Sequence, residues 1–284
     1  MPLYKYLHPD RTDVLRNQYI RFSSPAVLND PFELKPHLAA LATKEYAEAE
    51  LKRALPRVLA EELAQLPKEL RALIPAHALQ AFLEVQLPSI QASLEGISAH
   101  MMPLLQERMA RTLDELLGVM CLTEAANSLL MWAHYADSHQ GFVVQFDETS
   151  PFFDRRVGPD DELRHLRKVT YSSRRPSLTL SEVKDGSAFL TKGLEWQYEA
   201  EWRMIVPLDG ASKVIGSGPE AVHLFSFPAA AVTSVILGSR MAEDKKAEIQ
   251  AILSNFPQYA HTHCVQATID NEHNLIHIGS NTDG

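Results

Sequence analysis

Apolar and polar positions alternate most clearly in residues 196–206, which read WQYEAEWRMIV. One parity holds Tyr198, Ala200, Trp202, Met204 and Val206, and the other holds Glu199, Glu201, Arg203 and Ile205. A period of two is typical of a β-strand, in which side chains two residues apart lie about 7 Å apart on one face. The pattern therefore predicts a strand with an apolar face in the core. Its charged face is either solvated or lines a site.

Other segments of strand length flank this one. They are LYKYL (3–7), YIRFSS (19–24), GVMCLTE (118–124), GFVVQFD (141–147), KVTYS (168–172), HLFSFP (223–228), VTSVILG (232–238) and THCVQATID (262–270). Helices are predicted through SLLMWAHYAD with a cap at Asn127 or Ser128, near 180–193, and at 242–255. Strands and helices do not alternate regularly, which favours an α+β fold with a mixed, largely antiparallel sheet and flanking helices.

Residues 37–117 have a different composition, rich in Ala, Leu, Glu, Gln, Lys and Arg, with Gly96 as the only glycine. These residue types favour helices. Prolines at 56, 67, 75, 88 and 103 predict that the segment is divided into several helices. We therefore expect an α+β core domain formed by 1–36 and 118–284, and an inserted all-α helical segment at 37–117.

The net charge of −9 in a chain of 284 residues argues against a broad nucleic-acid-binding surface. The only basic cluster, residues 164–175, is expected to be a solvated loop. Two cysteines and an N-terminus without an apolar signal segment predict a cytoplasmic protein, and no apolar run is long enough to span a membrane.

The common sequence signatures of catalysis and cofactor binding are missing. The chain has no GxGxxG after a strand, no phosphate-binding GxxxxGK[ST], no HExxH and no GxSxG. A histidine-rich C-terminal segment offers metal-ligating residues at His261, His263, Cys264, His273 and His277. Their spacing matches no standard zinc motif, so no metal site is predicted.

Two further segments carry residues able to bind a ligand. The turn NDPFE places Asn29, Asp30 and Glu33 together, either as a simple Asx turn or as a substrate loop. The segment WAHYADSH places His134 and Tyr135 on a predicted helix, either as packing residues or as part of a site. A nucleophilic pair of Cys121 with His134 is conceivable, but nothing indicates an activated thiolate.

Four segments together resemble a bacterial family, domain of unknown function 2971. They are LYKY, IRFSSPAVLNDPFE, LLMWAHYADSHQGFVVQFD and WQYEAEWRMIV, in this order, and they span the chain apart from the helical segment. This resemblance implies no activity.

A weaker resemblance links Glu199-Ala200-Glu201 to the E-x-E strand of arginine-type mono-ADP-ribosyltransferases. It implies NAD as a substrate, with Glu201 stabilising the ribosyl cation and Glu199 helping the acceptor to react. It also implies an NAD-binding arginine and serine, for which Arg21 and Ser23 have the right residue types, although here they share one strand. Further contacts to NAD are expected from His134, Tyr135 and Arg203.

The leading hypothesis is thus an ADP-ribosyltransferase-like enzyme or NAD glycohydrolase, by analogy in a toxin-like or antiphage role. Asn29, Asp30 and Glu33 would contact the substrate, and the helical segment would bind a protein partner or a second copy. One alternative is a non-enzymatic ligand-sensing or protein-interaction module. Another is a metal-dependent hydrolase or nuclease that uses Glu199, Glu201 and the histidines.

Overall fold

The computed structural model describes residues 1–71, 73, 75–182 and 186–279. By their internal contacts they form two compact units. Unit 1 spans Met1–Lys35, Thr112–Arg175 and Gly186–Gly284, and unit 2 spans Pro36–Arg111 and Pro176–Asp185. The division into a core domain and an insertion at 37–117 stays a prediction.

The elements are mostly short. The helices are α1 (Asp13–Asn17), α2 (Lys44–Ala64), α3 (Lys68–Arg71), α4 (Ala76–Leu116), α5 (Leu129–Tyr135) and α6 (Glu243–Asn255). The strands are β1 (Leu3–Leu7), β2 (Tyr19–Phe22), β3 (His37–Ala40), β4 (Leu117–Thr123), β5 (Phe142–Phe146), β6 (Arg167–Lys168), β7 (Thr170–Ser172), β8 (Ser177–Thr179), β9 (Thr191–Gly193), β10 (Glu201–Pro207), β11 (Lys213–Ile215), β12 (Val222–Ser226), β13 (Val232–Leu237), β14 (His263–Ile269) and β15 (Ile276–Ile278).

Eight strands of unit 1 form one sheet in the order β15-β14-β13-β5-β1-β4-β10-β6. Only β13 and β14, which precede and follow α6 along the chain, are parallel neighbours in this sheet. The other neighbouring strands are antiparallel. A second sheet of unit 1 has the order β11-β12-β2. The expected α+β fold with a mixed, largely antiparallel sheet is therefore confirmed.

The alternation in β10 explains how this strand packs. Met204 and Val206 are buried in the principal core, and Trp202 packs against it. On the opposite face Glu201, Arg203 and Ile205 are also buried. The charged face of the strand is therefore not solvated, which favours the alternative that it lines a site.

The predicted strand at 196–206 is wrong for its first half. Residues Leu194–Glu199 form a 3-10 helix, and Ala200 is left-handed with φ 43° and ψ 51°. Because this conformation interrupts the extended backbone, Glu199 precedes the strand that carries Glu201. The backbone of this bend is held by Thr123, whose Oγ1 donates to the carbonyl of Glu199 at 2.5 Å.

Three other predictions need correction. The helix expected near 180–193 is wrong for the described residues, which form short 3-10 turns and β9, while 183–185 lie outside them. Pro56 lies inside α2, and Pro88 and Pro103 lie inside α4. A proline inside a helix has no N–H to donate, and its presence there costs about 3 kcal/mol. In helices as long as α2 and α4, the hydrogen bonds of the other turns offset this cost. Residues His37–Ala40 form a strand because they pair with distant β8.

The predicted cap of α5 is confirmed at Ser128, whose side chain accepts a hydrogen bond from the backbone of Met131. This cap fixes the start of the helix that carries His134 and Tyr135. Among the described helices, none combines the length and apolarity that a membrane span requires.

Candidate functional site

Strands β1 and β4 are neighbours in the large sheet, yet they pair only at Tyr4 and Thr123. Strand β1 pairs with β5, on its other side, along its whole length. Lys5 Nζ on β1 donates to the carbonyl of Cys121 on β4 at 3.0 Å. At this position the two strands are therefore linked by a side chain and not by a backbone hydrogen bond. Residues of both strands line a cavity of about 210 Å³. Its walls are Tyr4, Lys5, Tyr6, Ser23, Val27, Leu28, Asn29, Glu33, Val119, Cys121, Leu122, Thr123, Met131, Tyr135, Lys192, Glu199 and Glu201.

Lys192 on β9 connects the carboxylates of this cavity. Its Nζ lies 2.5 Å from Oε2 of Glu199 and 3.0 Å from Oε2 of Glu201. It also lies 3.4 Å from Oε1 of Glu33. Each of these side chains is at most 5% exposed. The ammonium is therefore a buried junction at which three acidic side chains meet.

Arg203 lies behind the cavity wall and holds Glu201 in place. Its Nε and Nη2 donate to the two oxygens of Glu201 at 2.7 and 3.0 Å, a bidentate pair that fixes the carboxylate plane. Nη2 also donates to Glu33, and Nη1 donates to the carbonyl of Phe189 at 3.1 Å. The side chain is fully buried and its donors are engaged with Glu201, Glu33 and Phe189, so it holds the two glutamates in place.

The ionisation of this network is set by burial. With Glu33, Glu199 and Glu201 facing Lys192 and Arg203, three buried carboxylates meet two buried cations. Burial raises the pKa of Glu201 to about 7, although Lys192 opposes the rise. Burial acts to lower the pKa of Lys192, but Glu201 and Glu199 reverse this effect and raise it. The network thus combines a permanently charged ammonium with a carboxyl group that titrates near neutral pH.

Tyrosine hydroxyls complete the hydrogen bonding of the two glutamates. The hydroxyl of Tyr135 donates to Oε1 of Glu199 at 2.5 Å and accepts from the side-chain amide of Asn29 at 3.1 Å. The backbone N–H of Glu201 donates to the hydroxyl of Tyr171 at 2.8 Å. Tyr135 therefore stands both in the cavity wall and in direct contact with a candidate catalytic carboxylate.

The predicted site residues divide into two groups. Glu199, Glu201, Ser23, Tyr135, Asn29 and Glu33 line the cavity, whereas Arg21, His134, Asp30 and Arg203 do not.

Each residue outside the cavity wall has its own surroundings. Arg21 lies on β2 beside β12, and its Nε is buried with no hydrogen-bond partner among the residues that the structure describes. His134 contacts the hydroxyl of Tyr198 at 3.0 Å. Asp30 forms the Asx turn, accepting from the backbone of Phe32 at 2.9 Å. The predicted contacts of these residues with a ligand stay predictions.

Lys192 and Tyr171 are two site residues that no sequence pattern indicates. Lys192 lies in a segment predicted to be helical, and two of its three carboxylate partners follow seven and nine residues later. Tyr171 belongs to a predicted strand but carries no charge and matches no motif. Only the folding of β9 beside β7 brings both residues to the glutamates.

Cys121 lines the cavity and lies beside Glu201. Burial and the neighbouring carboxylate raise its pKa well above the usual range, so the activated thiolate of a nucleophilic cysteine is not formed here.

The histidine-rich segment forms local contacts. His273 and His277 both contact the carboxylate of Asp270, at 3.2 and 2.6 Å. Within the described residues, no group of three or more His, Cys, Asp or Glu side chains is placed to hold a metal ion. The predicted metal-dependent alternative gains no support from this geometry.

Residues 131–204 match a family model described as "Protein of unknown function (DUF2971)". This match confirms the resemblance carried by the sequence motifs, and it includes residues 131–135 of α5, all of β9 and the start of β10. A search of curated proteins and a search of solved structures each found no match. The similarity to ADP-ribosyltransferases stays a prediction.

Proposed function

We propose that this chain, which carries the DUF2971 family segment, cleaves the bond between nicotinamide and ribose in NAD. ADP-ribose then passes to an acceptor or to water. The observation that carries the proposal is that Glu199 and Glu201 line one cavity and share the ammonium of Lys192. A pair of carboxylates beside a ring-sized space suits a reaction that passes through a cationic sugar.

The size of the cavity limits which part of NAD it receives. A cavity of about 150 Å³ holds one benzene ring, so the 210 Å³ here suits a single ring and its immediate neighbours. The nicotinamide end would therefore enter, held by Tyr135, Ser23 and Asn29, while the adenosine part stays outside. Arg21 does not line this cavity. If Arg21 binds NAD, it contacts the part of NAD that stays outside the cavity.

The proposed reaction needs no proton for its leaving group. The bond between C1′ of ribose and the ring nitrogen breaks, and its electron pair remains on the nitrogen. Because this nitrogen is positively charged in NAD, nicotinamide departs as a neutral molecule. Glu201 stabilises the positive charge that develops on the ribose. The oxygen of water or of an acceptor bonds to C1′, and its proton passes to Glu199.

Incubation of the full chain with NAD, with nicotinamide release followed by chromatography, tests this proposal. Wild type should release nicotinamide, and Glu201→Gln and Glu199→Gln should lose most of the activity. Glu195→Gln is the matched control, because Glu195 lies in the same 3-10 segment but is exposed. Thermal melts check that each variant folds. If wild type releases no nicotinamide with water or a panel of protein acceptors, the proposal is wrong.

A toxin-like or antiphage role would follow from NAD consumption in the host cell. Expression of wild type and of Glu201→Gln in the same host measures it. Cellular NAD and growth should fall only with the wild-type protein. Equal growth with unchanged NAD would remove this part of the proposal.

A second candidate function, self-association, is favoured by a feature of unit 2. Residues of β3, α2 and α4 line an apolar groove of about 550 Å³. On α4, Leu94, Ile97, Met101 and Leu104 are 45%, 56%, 45% and 64% exposed. Their spacing of three, four and three residues is that of a helix–helix seam, so we propose a helix of a second copy as the partner.

The oligomeric state of the full chain tests this surface. Light scattering after size exclusion should give a dimer, and the double variant Ile97→Glu, Leu104→Glu should give a monomer. Val85→Glu is the control, because Val85 is 73% exposed on the same helix but lies outside the spacing. A monomeric wild type would contradict the proposal.

A further inference from the structure

The cavity between β1 and β4 is unusual in its balance of charge. Glu33, Glu199 and Glu201 are opposed by Lys192 and Arg203, which leaves one negative charge when all five groups are ionised. Buried Asp30 adds a carboxylate near Arg203, and Lys5 in the cavity wall adds an ammonium. These two additions cancel, so the network keeps a net charge of one negative when all of these groups are ionised, although each glutamate has a cationic partner.

Uncompensated charge in a buried network is costly, and the network has two ways to remove it. Glu201 can take up a proton, or a cation can enter the cavity. Burial raises the pKa of Glu201 to about 7, which is consistent with the first way. A cation in the cavity would make the proton unnecessary.

Aromatic walls provide a second and independent feature. Tyr4, Tyr6 and Tyr135 all line the cavity. Burial raises the pKa of each phenol, so the three rings are uncharged in the neutral range. The faces of aromatic rings attract organic cations, and combinations of such rings with carboxylates bind quaternary ammonium groups.

The cavity offers little to an anion. The guanidinium of Arg203 is fully buried behind the wall, and its donors are engaged with protein acceptors. Lys192 already contacts three carboxylates, and Lys5 donates to the carbonyl of Cys121. A phosphate or carboxylate ligand would therefore meet the net negative charge of the network.

We propose that this cavity binds a ring-sized organic cation and selects it by charge over a neutral ligand of the same shape. Two sources of such a cation are a quaternised pyridine ring, as in NAD, and an alkylammonium group. The inference uses the cavity of the proposed function but does not depend on glycosidic cleavage.

Cation binding and proton binding at Glu201 should compete. The charged or titratable groups that face Glu201 are Lys192 on β9, Glu199 before the strand, Arg203 on the strand, Cys121 on β4 and Tyr171 on β7. Burial raises the pKa of Glu201 into the neutral range. Binding should therefore release a proton near pH 7, and affinity should rise with pH.

Calorimetry on the full chain tests the charge preference with four probes. They are N1-methylnicotinamide (a cation), nicotinamide (neutral), nicotinate (an anion) and tetramethylammonium. A cation should bind about tenfold more tightly than nicotinamide, and nicotinate more weakly than either. Tighter binding of N1-methylnicotinamide would identify the pyridine source, and tighter binding of tetramethylammonium the alkylammonium source.

A pH series on wild type makes the test independent of any variant. Affinity for the cation should increase between about pH 6 and about pH 8, with proton release, whereas affinity for nicotinamide should not change. Glu201→Gln should lose the preference and exposed Glu195→Gln should keep it.

Three results would overturn the inference: equal affinity for cation and neutral ring, no binding of any probe, or cation affinity independent of pH. Cation binding without NAD cleavage would contradict only the proposed function. NAD cleavage without a charge preference would contradict only this inference.

Discussion

The Nζ atom of Lys192 lies 2.5 Å from Oε2 of Glu199, and the two side chains are 4% and 5% exposed. The same ammonium reaches Glu201 at 3.0 Å and Glu33 at 3.4 Å. The 3-10 helix Leu194–Glu199 follows β9 and brings Glu199 and Glu201 back to Lys192. One buried lysine thus contacts these two glutamates and the distant Glu33. The candidate site depends on this junction, and its removal should be visible in stability as well as in function.

Replacing Lys192 by Met should destabilise the protein by about 3–5 kcal/mol, because buried carboxylates would lose a partner. Urea denaturation measures the change. Lys168→Met is the control, since Lys168 pairs with Glu124 at 2.6 Å but is 56% exposed. An exposed pair contributes about 0–1 kcal/mol. Equal effects of the two substitutions would show that the junction is not a buried charge network.

The free energy of unfolding should decrease as pH rises, because buried Glu201 then loses its proton. Its pKa is about 7 in the folded state, against 4.5 for an ordinary glutamate, so the folded protein holds the extra proton between these values. Its contribution is fully present below about pH 4.5 and is lost as pH rises through 7, with about 1.4 kcal/mol for each pKa unit. Glu201→Gln cannot titrate and should remove this slope.

Urea midpoints of wild type and Glu201→Gln, taken at half-unit steps of pH, measure the difference. The other carboxylates of the protein titrate in both forms, so the comparison isolates Glu201. Parallel pH profiles for the two proteins would contradict the raised pKa.

Local pattern was sufficient to predict most of the fold. The alternation or apolar runs of LYKYL, GVMCLTE and GFVVQFD identify the three strands β1, β4 and β5, and Ser128 identifies the start of α5. Errors arose where distant partners decide the structure. His37–Ala40 is a strand because β8 pairs with it, and Ala200 is left-handed where the period of two predicted an extended chain.

The site was predictable only in part, for a related reason. The charges of Glu199 and Glu201 are visible in the sequence, and so is the turn that carries Asn29 and Glu33. Burial is not visible in the sequence, and it is the burial of Glu201 and Arg203 that makes this face of β10 a candidate site. Lys192 could not be identified from the sequence as a site residue, because only the position of β9 beside β7 brings it to the glutamates.

Both cysteine thiols should react slowly in the folded protein. Burial raises the pKa of Cys121 and of Cys264, and the thiolate is the reactive form. Alkylation followed by mass spectrometry at neutral pH should be at least about tenfold slower than in the same chain unfolded in urea. Rapid native labelling of Cys121 would instead support the pairing of Cys121 with His134 as a nucleophile.

Arg203→Lys should be strongly destabilising although the charge is kept. The guanidinium binds both oxygens of Glu201, reaches Glu33 and donates to the carbonyl of Phe189, which a single ammonium cannot reproduce. We expect a loss of about 2–4 kcal/mol in urea denaturation, because a buried acceptor is left without its donor.

Arg111→Lys provides the matched control for that substitution. Arg111 pairs with Glu107 at 2.5 Å, but the two side chains are 71% and 59% exposed. This change should alter stability by less than about 0.5 kcal/mol, with the urea m value unchanged in both variants. If Arg203→Lys were as mild as the control, the guanidinium would not hold Glu201 in place. The cavity would then have to keep the shape of its acidic wall through Lys192 alone.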